Sequence, residues 1–208
     1  AIGTLDAGVA GTMNVYIVGG TNAVSAAQET YLKGLSYNVT RVSGANRYAT
    51  AVELAKMYTK TSATDGFNKT GVDEVVLASG ENFADAMSGS SYAGAADDRV
   101  LVLTSGAALS AETNTYLSGL LSLSIDKLRV LGGTSAVSEA VATKAGAGRT
   151  VVRLSGADRF ATAAAVADLA IKTVATGGFG MNKREVYLAE MGAASGGADA
   201  LAAGSLVN

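Results

Sequence analysis

The chain has 208 residues, enough for one large or two small domains with a buried core. Apolar residues make up 49%, charged residues only 16%, and the net charge is −2. No block of like charge occurs, which argues against the basic face that nucleic acid needs and against a polybasic membrane anchor. Cys and His are both absent, so disulfides and thiolate metal sites are excluded and the commonest general base is missing.

Short apolar runs typical of strands alternate with segments of helical periodicity along the whole chain. The predicted strands are residues 15–18, 39–42, 75–78, 100–104, 128–131, 151–154 and 186–189. The predicted helices are residues 23–36, 47–60, 83–96, 110–121, 136–146, 159–174 and 198–206. No apolar run is long enough to predict a transmembrane helix.

The strict alternation of strand and helix predicts right-handed βαβ units and parallel sheets. The strands are continuous apolar runs, as expected where both faces of a sheet are covered. We therefore expect an α/β fold of tandem, doubly wound modules of Rossmann or flavodoxin type. A closed barrel is not expected, because it needs eight such units and explains no internal repeat.

An internal repeat sets the period of the chain. Residues 41–51 (RVSGANRYATA) return almost unchanged as residues 153–163 (RLSGADRFATA), which begin 112 positions later. Three further segments recur in the same order at similar spacing. Residues 18–25 return at 131–138, residues 74–78 at 185–189, and residues 83–87 at 197–201. A period of this length is typical of a small domain and too long for one turn of a solenoid.

These ordered motifs resemble the bacterial cell-wall-binding repeat type 2 family, whose modules occur in tandem in secreted and surface-layer proteins. The resemblance covers nearly the whole chain. It implies the C-terminal part of one module at residues 1–38, a complete module at 41–147, and the N-terminal part of another at 153–208. One departure is Ala84, where the family usually has Pro.

The turn before two of the predicted helices offers the first candidate site. Gly44 and Gly156 permit a tight strand-to-helix turn, and Asn46 and Asp158 are plausible N-caps of the helices. Arg47 and Arg159 follow at once, so each helix N-terminus could bind an anion. In the alternative interpretation, the two arginines pair with acidic side chains and hold neighbouring units together.

A second candidate is Asp85, with Asp199 as its repeat, in the first turn of a helix that follows a strand. We expect it to favour the helix dipole and to pair with an Arg from a neighbouring strand end. A catalytic role would require a partner that the sequence does not show. The turns at 19–21 and 132–134 carry Gly-Gly-Thr, but no complete phosphate-binding glycine motif occurs, so they are interpreted as turns with positive φ.

The catalytic motifs of common enzymes are missing. Without His there is no Ser–His–Asp triad, and neither a G-x-S-x-G elbow nor an Asp-x-Asp metal motif occurs. No enzymatic activity, metal or cofactor is expected.

The resemblance implies an extracellular, non-catalytic module that anchors a secreted or surface-layer protein to cell-wall glycopolymer. Its partner would be an anionic secondary cell-wall polymer or peptidoglycan, with no nucleic acid and no membrane insertion. The alternative is a self-assembling structural protein of a surface layer or filament, because incomplete modules at both ends would favour a homo-oligomer.

Overall fold

The computed structural model describes residues 13–59, 72–94, 99–120 and 125–172, together with Gly178 and Gly180. The predicted strand at 186–189 and helix at 198–206, with Asp199, lie outside the described residues. Within those ranges the strands are β1 (Asn14–Val18), β2 (Asn38–Val42), β3 (Glu74–Ser79), β4 (Arg99–Thr104), β5 (Lys127–Leu131) and β6 (Thr150–Leu154). The helices are α1 (Ala26–Gly34), α2 (Arg47–Thr59), α3 (Phe83–Gly94), α4 (Ala111–Leu120), α5 (Glu139–Ala145) and α6 (Arg159–Ile171).

All strand pairings among the described residues are parallel, which confirms the predicted α/β class. β1 and β2 form a two-stranded first sheet, and the other four strands form a central sheet in the order β4-β3-β5-β6. The order changes direction at β3, as in a doubly wound fold. Strand β6 spans the predicted boundary at residue 153, so the central sheet draws its last strand from the start of the next repeat.

Helices cover both faces of the central sheet. On one face, Val75 and Leu77 of β3 pack in one cluster with residues of α2, α4 and α5. On the opposite face, Val76 and Ala78 pack with residues of α3 and α6. Because neighbouring strand residues point to opposite faces, a continuous apolar run is what such a sheet requires.

The helices after β2 and β6 both pack against the central unit. Helix α2 follows β2 of the first sheet but places Val52 and Ala55 in the core beside β3 and β4. Helix α6 follows β6 and places Val166 beside Tyr92 and Ala93 of α3. Helix α2 is therefore the element among the described residues that joins the first sheet to the central unit, whereas α6 packs on the same sheet as the strand it follows.

Helices α1 and α5 begin later than the sequence predicts. Ser25 and Ser138 are their N-caps, and each hydroxyl accepts a hydrogen bond from the backbone N–H three residues on, in α1 as part of a capping box. The preceding Gly-Gly-Thr segments form turns in which Gly19 and Gly132 have φ of 117° and 90°, which confirms the predicted positive φ.

Candidate functional site

The two repeated turns before α2 and α6 have the same internal structure. The N–H of Gly44 donates to Oγ1 of Thr50 at 2.9 Å, and the N–H of Gly156 donates to Oγ1 of Thr162 at 3.0 Å. A Cβ atom at either glycine would lie 2.3 Å from the Cβ of the alanine five residues on. The turn thus closes so tightly against the first turn of its helix that only glycine fits.

Asn46 and Asp158 hold the N-terminal ends of these helices, as the sequence predicts. The Oδ1 atom of Asn46 accepts from the N–H of Ala49 at 2.9 Å, and Oδ1 of Asp158 accepts from the N–H of Ala161 at 2.8 Å. Each cap satisfies one of the free N–H groups of the helix, so fewer of these groups remain for an external anion.

The first turn is also fastened to the central sheet. Arg47 Nη1 donates to the carbonyl oxygen of Gly80 at 2.5 Å, and Asn46 Nδ2 donates to Oε1 of Glu112 at 2.7 Å. Gly80 follows β3 and Glu112 lies in the first turn of α4. The same two residues that mark the candidate site therefore connect the first sheet to the central one.

In the second copy of the turn, Arg159 lies in the electrostatic field of Asp85. Asp85 is in the first turn of α3 and only 8% exposed. Its carboxylate lies against the turn after β5. The approach is so close that a Cβ added at Gly132 would be 2.2 Å from Oδ2 of Asp85. Burial raises the pKa of Asp85, and the positive charge of Arg159 offsets part of that effect.

Replacing Asp85 by Asn removes the ionisable carboxyl and so tests the raised pKa of Asp85. Because the folded pKa of Asp85 lies above its unfolded value, the folded state binds the extra proton more tightly, and stability falls as pH rises through that interval. The gain in unfolding free energy of Asp85→Asn over wild type should therefore grow as pH rises from about 3.8 through the folded pKa. Urea titrations of both proteins at several pH values test this, and a difference that does not change with pH would contradict it.

Two further arginines, which the sequence analysis does not single out, fix the Gly-Gly-Thr turns. Arg41 donates to the carbonyl oxygen of Gly19 at 2.7 Å, and its Nε atom lies 2.8 Å from Glu29. Arg153 repeats the arrangement, donating to the carbonyl oxygen of Gly132 at 2.9 Å and to Glu139 at 3.1 Å. The sequence feature that could have identified these two arginines is that each is the first residue of its eleven-residue repeat.

Glu81 links the ends of two central strands in a similar way. Its carboxylate accepts from Oγ of Ser105 at 2.8 Å and from the N–H of Gly106 at 3.1 Å. These hydrogen bonds, with the charge of Arg47 nearby, lower the pKa of Glu81.

A buried ionic cluster lies near the opposite ends of the central strands. Glu74, at the start of β3, accepts hydrogen bonds from Arg129 and, at 2.9 Å, from the hydroxyl of Tyr92. The centre of the Tyr92 ring lies 4.5 Å from the guanidinium carbon of Arg99 and 5.4 Å from that of Arg129. Burial, with the adjacent Glu74 charge, raises the pKa of Tyr92. Glu74, Tyr92 and Arg99 are buried and the Glu74 carboxylate pairs with Arg129, so we interpret the cluster as part of the fold.

A cavity of about 820 Å³ lies at the C-terminal ends of β1 and β2. We call it the α2 cavity, because one side of α2 forms its wall. The turn residues Gly19, Gly44, Asn46 and Arg47 lie around its rim, and its other walls come from the ends of α3 and β4. It therefore brings together the candidate residues of the first repeat, whereas Gly156, Asp158 and Arg159 lie in the next unit.

Among residues 13–59, 72–94, 99–120 and 125–172, no three Asp or Glu side chains lie close enough together to hold a metal ion. In the same part of the chain, no helix has the length and apolar character that crossing a membrane requires. The arrangement offers capped helix ends, guanidinium groups and an open cavity, which are features of a binding surface.

Comparison with known proteins gives consistent matches. The family model described as cell wall binding domain 2 (CWB2) matches residues 41–142 and 153–208. The N-acetylmuramoyl-L-alanine amidase LytC of Bacillus subtilis (strain 168) is 33% identical over 153 residues, which are 74% of this chain and 27% of the amidase.

Two solved structures from Clostridium difficile are also similar. Cwp8 matches with a TM-score of 0.60 at 30% identity, and Cwp6 with a TM-score of 0.63 at 25% identity; each match covers 74% of this chain. The matches take up 24% of Cwp8 and 23% of Cwp6. The chain thus spans about a quarter of the length of the relatives that it matches.

Proposed function

This chain belongs to the cell wall binding domain 2 family, and on that premise we propose that it is a non-catalytic module anchoring an extracellular or surface-layer protein to an anionic cell-wall glycopolymer. The family match across two repeats is the observation that carries the proposal. We propose that residues 1–38 are the C-terminal part of one module, residues 41–147 a complete module and residues 153–208 the N-terminal part of a further one, so that one polymer meets equivalent turns more than once. Tandem sites raise the overall affinity without any new contact.

Arg47 and Arg159 are the residues that we propose contact the polymer. Both are exposed and occupy the same position after equivalent turns, one repeat apart. The carbonyl of Gly80 takes one of the five N–H donors of Arg47, and a guanidinium binds phosphate or carboxylate through two parallel hydrogen bonds. Asn46, Asp158, Gly44 and Gly156 would position the arginines, and Asp85 would orient Arg159.

The test is sedimentation of the chain with purified cell walls. Replacing both arginines by Ala is expected to weaken binding at least about tenfold, because charged hydrogen bonds are lost at two sites. Wild-type binding should also weaken as salt increases.

The matched control is Lys33→Ala with Lys172→Ala, which removes the same charge from exposed side chains in α1 and just after α6. The control should bind walls as wild type does. Equal loss in both variants would mean that net charge alone drives binding. No loss in a folded Arg47→Ala, Arg159→Ala variant would place the binding site elsewhere.

A further inference from the structure

The Arg47 side chain is held by Gly80, the residue that directly follows β3. Its Nη1 atom donates to the carbonyl oxygen of Gly80 at 2.5 Å. The packing there is so close that a Cβ added at Gly80 would lie 2.7 Å from Cε1 of Tyr48 and 3.3 Å from Cδ of Arg47. Gly80 is fixed in turn by its own N–H, which donates to the carbonyl oxygen of Thr104 at 2.8 Å. The direction of the Arg47 guanidinium therefore depends on the position of Gly80.

The peptide group that carries this carbonyl is also fixed at its N–H. That N–H belongs to Glu81 and donates to Oγ of Ser79 at 3.2 Å. Ser79 is the last residue of β3 and is only 1% exposed. Because a peptide group is planar, rotating it would break the hydrogen bonds to Ser79 and to Arg47 together. A contact that holds Glu81 in place therefore also holds the acceptor of Arg47.

The side chain of Glu81 attaches this peptide group to the turn after β4. Its carboxylate accepts from Oγ of Ser105 at 2.8 Å and from the N–H of Gly106 at 3.1 Å. The carbonyl oxygen of Gly106 accepts from the N–H of Ser138, the N-cap of α5, at 2.9 Å. A Cβ added at Gly106 would lie 2.5 Å from the carbonyl oxygen of Ala136, so this turn has little room to shift. Glu81 is therefore fastened to a turn that is itself packed against the turn after β5.

Two roles for Glu81 predict opposite effects on polymer binding. Its side chain is exposed and lies in the field of the Arg47 charge. A negative charge in this place weakens the attraction of Arg47 for an anion, so a purely electrostatic role opposes binding. The hydrogen bonds of Glu81 act in the other direction, because a guanidinium already held in one orientation loses less conformational entropy when it binds.

We propose that Glu81 is a positioning residue for the wall polymer, which acts through Gly80 to hold Arg47 in the orientation that contacts an anionic group. This role rests on the proposed function, because it takes the polymer as the ligand of Arg47. Recognition of phosphate or carboxylate by two parallel hydrogen bonds requires a fixed direction of the guanidinium plane. The ordering of Arg47 by these hydrogen bonds outweighs the repulsion that the Glu81 charge exerts on the polymer.

Two substitutions of Glu81 separate its hydrogen bonds from its charge. Glu81→Ala removes both and should weaken binding to purified cell walls about three- to tenfold, because Arg47 becomes free to move. Glu81→Gln removes only the charge, since its amide can accept from Gly106 and donate to the Ser105 hydroxyl. It should bind walls at least as tightly as wild type. Tighter binding by both variants, or equal binding by all three proteins, would overturn the proposal.

Ser105→Ala tests the same contact from its other side. It keeps the charge of Glu81 and removes one of its two hydrogen bonds, so it should weaken wall binding in the same direction as Glu81→Ala but by less. This variant carries the test if Glu81→Ala does not fold. The matched control is Glu53→Ala, which removes the same charge from an exposed side chain of α2 and should not weaken binding. A folded Ser105→Ala protein with wild-type affinity would contradict the proposal.

Combining variants distinguishes positioning from a general effect on the fold. If Glu81 acts through Arg47, Glu81→Ala should change the affinity of an Arg47→Ala protein less than about twofold, because the residue that it positions is gone. A loss as large as that in the wild-type background would mean that Glu81 affects binding by another route, and the positioning role would be wrong.

A measurement without cell walls separates this role from the proposed function. The Nε–H group of Arg47, identified by its absence in Arg47→Ala, should have the NMR order parameter of a fixed side chain in wild type and in Glu81→Gln. In Glu81→Ala it should have that of a mobile side chain. An equally ordered Arg47 in Glu81→Ala would overturn the positioning role even in a chain that binds walls. The predicted change in order, in a chain whose Arg47→Ala, Arg159→Ala variant binds walls as wild type does, would support the positioning of Arg47 and contradict the proposed function alone.

Discussion

Replacing Glu74 by Ala is expected to lower the free energy of unfolding by about 3–5 kcal/mol. The Glu74 side chain is 6% exposed, and it accepts hydrogen bonds from Arg129 and Tyr92. Without the carboxylate, Arg129 keeps its buried charge with no compensating partner, and the Tyr92 hydroxyl loses its acceptor. The total free energy of unfolding of a small domain is only about 5–15 kcal/mol, so this loss should markedly lower the midpoint of urea unfolding.

The exposed pair of Glu53 and Lys56 provides the control for Glu74. These side chains are 45% and 47% exposed and 2.7 Å apart, so Glu53→Ala should cost less than about 1 kcal/mol. Replacing both members of the buried pair, with Glu74→Leu and Arg129→Met, should recover part of the loss because no buried charge is then left unpaired. A Glu74→Ala protein no less stable than Glu53→Ala would show that the cluster contributes little to the fold.

Replacing Gly44 or Gly156 by Ala should destabilise the chain by about 1–3 kcal/mol at each site. The added methyl at Gly44 would lie 2.6 Å from the carbonyl carbon of Ala49 and 2.8 Å from the nitrogen of Thr50. These neighbours are backbone atoms of a helix, so no change of rotamer relieves the contact. The turn must open, which also breaks the hydrogen bond from Gly44 to the Thr50 hydroxyl.

Gly119 provides a control at which the same Gly→Ala substitution should stabilise the chain. It lies inside α4, and a Cβ there would meet nothing within 4 Å. Gly119→Ala should therefore stabilise the chain by about 0.5–1 kcal/mol, through the better helix propensity of alanine. Thermal unfolding followed by circular dichroism measures all three variants, and a Gly44→Ala protein as stable as wild type would show that the turn has room to adjust.

The alternation of apolar runs and helical segments was sufficient to predict the fold. The uninterrupted run of β3 correctly indicated a strand covered on both faces, and all six of its residues are buried. Helix starts were less accurate, because in α1 the apolar periodicity from residue 23 begins before the cap at Ser25. A hydrophobic pattern marks the buried face of a helix, whereas its first residue depends on a local hydrogen bond.

Of the candidate site, the sequence predicted only the features that occur in both repeats. Asn46 and Asp158 were identified as caps because both follow the same turn, and the structure places both on their helix N–H groups. The partners of Arg47 could not be predicted, since Gly80 is brought to it by a long-range contact between sheets. The ionic cluster around Glu74 was missed for the same reason, as its members come from β3, β4, β5 and α3.

Arg41 shows what the repeat alone leaves open. It is as well preserved between the two eleven-residue segments as Arg47, yet its side chain is directed to the carbonyl of Gly19 and to Glu29 within the first unit. Identity between repeats thus marks a residue as needed in both units. It does not distinguish a scaffold contact from a ligand contact, and that distinction requires the binding experiment.

The central claim, that this chain recognises an anionic cell-wall polymer, is tested most directly by its affinity for one preparation of walls before and after acid extraction of the secondary polymers. We expect saturable binding to intact walls that weakens with salt and is lost after extraction, as the removed polymer carries the negative charge. Binding of equal affinity to extracted walls would contradict the claim and assign the interaction to peptidoglycan instead.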